Sequence, residues 1–191
     1  MKKYPAYILT LTVTIALALS LSGCKNEASR AKEYVEEGDA ILAEAAVTGD
    51  ELTSKVESLL TNMGAQLSRG ERPDAGNFNE NLEVIHGLFD ELDSKYEEAK
   101  SSYGKTESLK GLDDYKDYAR TRMAQIVVAE DMLQDIRFHL DKLKFDISDP
   151  GFSATALAEE ASEFGEKVER KASEVTELMN RAETIKRSIG L

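Results

Sequence analysis

The sequence has one cysteine, three prolines, two histidines and no tryptophan. A single cysteine, Cys24, rules out a disulfide within the chain. Past the N-terminal segment the only prolines are Pro73 and Pro150, so long helices can run without a residue that breaks them. Sustained period-two alternation between turn residues is also missing, which excludes a β-rich fold. No Gly-x-Gly-x-x-Gly, Gly-x-x-x-x-Gly-Lys-Ser/Thr or Gly-x-Ser-x-Gly sequence occurs. The sequence therefore offers no phosphate-cradling loop and no nucleophile elbow.

What is abundant is acid. The chain carries 36 Asp and Glu against 24 Lys and Arg, a formal net charge of -12. Lys2 and Lys3 are the only charges in residues 1–23, so the remainder, 24–191, stands at -14. Such a surface repels phosphate, which argues against nucleic acid as a partner. It also argues against the body lying flat on anionic lipid, since helices that do so carry Lys and Arg on their polar face.

The N-terminus has its own pattern. Met1-Lys2-Lys3 leads into an uncharged run from Ala6 to Leu21, too short to span a bilayer comfortably. A basic start followed by an apolar run is the layout of a secretory signal. The run ends in Leu21-Ser22-Gly23-Cys24, which resembles the lipobox of prokaryotic lipoproteins. That resemblance covers the first 24 residues only. It implies recognition of Leu21, Ser22 and Gly23 by a lipoprotein signal peptidase, cleavage after Gly23, and a diacylglyceryl and acyl (palmitate-type) lipid on Cys24. Two acyl chains suffice for stable attachment where one is marginal. The alternative is an uncleaved N-terminal anchor helix with a chance cysteine. The expected location is the cell membrane or outer membrane, lipid-anchored on the extracytoplasmic side.

Apolar residues in 24–191 recur at steps of three and four in four segments. The second reads Phe78, Leu82, Ile85, Phe89, Leu92, Tyr96, Ala99, Tyr103, and the other three follow the same rule with few exceptions. A period near 3.5 means amphipathic helices that cross at shallow angles. The expected fold is therefore all-α: an antiparallel up-down bundle of about four long helices, approximately 27–68, 77–103, 107–148 and 153–189, in one domain spanning 24–191. Extended hairpins or a dimeric coiled coil are the alternative. Gly38 and Gly49, both at seam positions, suggest close helix approach or a loosely packed first helix.

Candidate chemistry is sparse. Glu83-Val84-Ile85-His86 is a Glu-x-x-His unit of the kind di-iron bundles use. A second unit is missing, because Ile136 stands where His139 would need a glutamate. No acid falls on the seam positions, so no metal site is expected, and both histidines read as solvated or boundary residues. Acid pairs such as Glu36-Glu37, Asp113-Asp114 and Glu159-Glu160 read as helix surface. Arg122 and Lys171 interrupt the apolar seam. Their stems are expected to cover the core edge with the charged heads in water. The sharper alternative is a buried ion pair that fixes register, with Glu91 or Asp93 as the partner of Arg122. Tyr96, Tyr103, Tyr115 and Tyr118 gather near the second join with Arg120 and Arg122. Packing with hydroxyls in water is the simpler reading. The alternative is a binding end at Tyr103, Tyr115, Tyr118 and Arg122, residue types favoured in binding spots.

Taken together, the sequence leads to a non-enzymatic interaction or structural module of the cell envelope. It would be held to the membrane by lipid, with an envelope protein as partner and no cofactor beyond that lipid. The alternative is an extracytoplasmic bundle that binds or senses a small molecule or cation.

Overall fold

The computed structural model describes residues 26–151 and 153–191. Leu21, Ser22, Gly23 and Cys24 lie outside them. Among the described residues four α-helices make up the fold: α1 (Glu27–Ser68), α2 (Ala75–Gly104), α3 (Asp113–Ser148) and α4 (Ala154–Ile189). Among the described residues there is no strand. The helices form an antiparallel up-down bundle in which α1 packs on α2, α2 on α3 and α3 on α4.

Local chemistry sets the ends. Asn26 caps α1, its side chain accepting from the Ser29 N–H at 2.7 Å. Asp74 caps α2 by accepting from the amides of Gly76 and Asn77. Each satisfies donors that the first helical turn leaves without partners. At the opposite end of the loop 69–74, Arg72 Nε donates to the Ile147 carbonyl at 2.9 Å, tying this loop to the end of α3. The third helix starts six residues later than the pattern predicts. Lys105–Ser108 form a short 3-10 turn, and Gly111 and Leu112 both take left-handed backbone conformations, with φ of 70° and 62°. That reversal prevents a helix from running through from 107. Asp113 and Asp114 then occupy the first turn of α3, where their charge suits the helix dipole.

The core falls into two clusters. One joins Leu52 and Leu59 of α1 to Phe78, Leu82, Ile85, Phe89 and Leu92 of α2, Leu140, Leu143 and Ile147 of α3, and Leu157 of α4. The other, near the 3-10 turn, draws on all four helices through Val35, Ala99, Tyr103, Tyr118, Ala119, Ile126 and Ala182. α1 and α4 have little contact and meet where Lys186 reaches Asp39.

Candidate functional site

The only seam glycine in close contact with another helix explains how the second cluster forms. A Cβ on Gly38 would sit 2.6 Å from Cε1 of Tyr103, closer than carbon atoms can pack. Glycine there lets the Tyr103 ring lie directly on the α1 backbone. Gly49 meets nothing within 4 Å, so close approach is the role of Gly38 alone of the two.

The ring of Tyr103 delivers its hydroxyl to Asp39, the next residue on α1, at 2.7 Å. Tyr118 of α3 donates to the same carboxylate at 2.7 Å and meets the Tyr103 ring edge to face. Lys186 of α4 adds a third donor at 2.7 Å. Arg122 completes the group. Its Nε donates to the Tyr118 hydroxyl at 2.9 Å and lies 3.6 Å from Asp39 Oδ1, and its far nitrogen donates to Glu183 at 2.9 Å. Its guanidinium also sits over the Tyr118 ring. Asp39 and Glu183 thus balance Arg122 and Lys186, and one half-buried carboxylate gathers side chains from α2, α3 and α4.

Burial alone would push the Asp39 carboxyl up. The hydrogen bonds from Lys186, Tyr103 and Tyr118, with the charge of Arg122, outweigh it and hold the group below the usual carboxylate range. Burial, then the neighbouring Asp39 charge, drives both tyrosine hydroxyls well above their ordinary range. They act as fixed neutral donors. The groups of this cluster are committed to one another, and what the arrangement does is clamp helices in register.

The sequence expectations for this region need correcting in several places. Tyr103, Tyr118 and Arg122 come together as expected for the binding end. Tyr115 is half-buried and packs against this same cluster. The Tyr103 and Tyr118 hydroxyls point to Asp39 and not into water. Arg122, with its side chain 11% exposed, is ion-paired and not snorkelling, but with Asp39 and Glu183 and not with Glu91 or Asp93. The register between α2 and α3 is the reason. Lys100 meets Glu130 and Arg120 meets Glu107, which places Arg122 level with the 3-10 turn, beyond the end of α2. Asp93 pairs with Arg137 instead. Lys171 is also paired, with Asp131 at 2.5 Å and with Asp135. His139 is neither solvated nor at a boundary. It is buried, and its ring stacks on Phe164 with centroids 4.0 Å apart. His86 is half-exposed, its Nε2 3.1 Å from Asp141 Oδ1.

Asp39, Glu183 and Lys186 were invisible to a search confined to seam positions. A usable signal did exist: an arginine in an apolar seam needs a counter-charge from another helix at its own level. Among the described residues no three of His, Cys, Asp and Glu are grouped as a metal site would require, and no helix is long and apolar enough to cross a membrane. No protein-family model matches this chain, and no curated protein or solved structure is detectably similar to it.

Proposed function

We propose that this protein is a lipid-anchored extracytoplasmic module that works by presenting a rigid helical surface to another protein of the cell envelope. The observation that carries the reading is Leu21-Ser22-Gly23-Cys24 behind a basic start and an uncharged apolar run. Cys24 is the only thiol in the chain, so the residue the lipid would consume has no competing use in a disulfide. The body supports the second half of the reading. A half-buried ion cluster that draws on every helix resists rearrangement, which suits a surface that has to be held in one shape.

Cys24→Ser, expressed in a bacterial host that makes lipoproteins, tests the anchor. The parent chain should incorporate labelled fatty acid and lose residues 1–23, while the variant does neither and keeps its precursor mass. Fatty-acid labelling of the variant equal to the parent's overturns the anchor. Cross-linking in intact membranes tests the module, and recovery of no protein partner counts against it.

A further inference from the structure

α3 carries an apolar stripe that the bundle does not use. Phe138 and Phe145 are each 72% exposed, and Val127 is 55% exposed. Spacings of seven and eleven residues return to within about 20° around an α-helix, so the three lie along one line about 27 Å long. Phe138 and Phe145 stand two turns apart on one face, an apolar contact line of the kind a docked helix can cover.

Beside that stripe runs an open groove of about 570 Å³ between α2 and α3. Val127 and Leu133 form its apolar part, and Asp93, Glu97, Glu130 and Asp131 supply four carboxylates against the single guanidinium of Arg137. Lys100 bridges Glu97 and Glu130, Arg137 holds Asp93, and Lys171 reaches Asp131. Arg137 also meets Asp90 and Lys171 also meets Asp135, which Lys167 shares, so six carboxylates share four cations and negative charge remains for an incoming basic group.

The geometry points to one occupant: an amphipathic helix of a partner protein, with apolar residues at helical spacing flanked by Lys and Arg. Its apolar face would lie along Val127, Phe138 and Phe145, and its basic flank would meet Asp93, Glu97, Glu130 and Asp131. A helix laid in a groove through anchors at such spacing is an established recognition mode. Charge selects among the possible occupants. A second copy of this chain, at -14 beyond residue 23, is repelled, as is an anionic lipid surface, whereas a basic helix is drawn in. The inference rests on the proposal of an interaction module and names its partner's chemistry.

The test uses the full chain in phosphatidylcholine nanodiscs and a 14-residue Leu/Lys amphipathic helix as probe, with its Leu/Glu counterpart and empty nanodiscs as controls. Fluorescence anisotropy should show saturable binding of the Leu/Lys peptide alone. Phe138→Ser with Phe145→Ser should weaken it by roughly tenfold, as loss of central anchors does. Glu97→Gln with Glu130→Gln should weaken it less and flatten its salt dependence. All the substituted side chains are exposed or half-exposed, and circular dichroism confirms that each variant is folded. Equal binding by parent and Phe138/Phe145 variant overturns the inference, as does equal binding of the Leu/Glu peptide. It is also overturned if the double serine variant abolishes self-association in sedimentation, or attachment to phosphatidylglycerol vesicles, in place of peptide binding. Lipid attachment at Cys24 is read separately, so either result can fail without the other.

Discussion

Around Asp39 all four helices contribute to one cluster, and its centre is polar: a carboxylate, two tyrosine hydroxyls, an ammonium and a guanidinium. Around Phe89 the buried cluster is made of apolar side chains from α1, α2 and α3, with Leu157 the one member from α4 among the described residues. Along α4 between those two places, Phe164, Val168, Val175 and Leu178 remain half-buried. The two regions therefore divide the work. The apolar region supplies burial, which is large and non-directional. The polar region supplies direction: it fixes which face of α4 turns inward and brings that helix to α1.

The apolar region carries the largest expected loss. Phe89→Ala should cost about 3–5 kcal/mol in urea unfolding, because the ring is fully buried and leaves a cavity. A loss under about 1 kcal/mol would mean that this core is not the main store of stability. Asp39→Ala should cost about 2–4 kcal/mol, a little under the figure for a fully buried pair because the site retains some solvent. It leaves Arg122 and Lys186 short of a counter-charge and two tyrosine hydroxyls without their acceptor. Hydrogen exchange sharpens the distinction. The Asp39 variant should release amides near Ala182 while leaving those near Phe89 protected. Uniform deprotection would erase the proposed division.

A smaller effect concerns acid. Burial holds the His139 imidazole below its ordinary value, so the fold favours the neutral ring. Stability from this source is present above the unfolded value near 6.5 and is lost as pH falls from there toward the depressed folded value. Asp39, also depressed, acts in the same direction at lower pH, below about 4. His139→Phe keeps an aromatic ring against Phe164 and should remove most of the loss between pH 7 and 5, measured as the unfolding midpoint. An unchanged slope in that variant would assign the loss to other groups.

The fold was legible because burial of long helices leaves a periodic trace, and the seam through Phe78, Ile85, Phe89, Leu92 and Tyr103 is buried as the spacing implies. The start of α3 was not, since it depends on left-handed backbone at Gly111 and Leu112, and a leucine in that conformation has no sequence signature. Gly38 was visible as a small residue at a seam, but its purpose requires knowing that Tyr103 lies opposite. Asp39 was hidden by one position. A straight helix drifts by about 20° per heptad against a strict sevenfold repeat, which carries residues beside the seam into the interior. The identity of the Arg122 partners was hidden for a different reason. A register set by the length of the 105–112 link cannot be read from either helix alone.

The placement of the helix ends has a consequence for posture. Asn26 opens α1 beside the 105–112 link, where Glu27 accepts from the Lys110 amide, and Leu191 packs on the same cluster. Residues 26–39, 104–122 and 181–191 belong to this end and carry ten Lys and Arg against ten Asp and Glu. The rest of the chain beyond residue 25 carries eleven against twenty-six. With a lipid on Cys24, the charge-balanced end would sit at the bilayer and the negative remainder would extend outward. Lying down would bring that acidic flank within a Debye length, about 8 Å, of anionic headgroups. Such a molecule would be kept upright by the membrane's own field, like a mast stayed by repulsion, with the 69–74 loop about 60 Å from the surface, the length of α1.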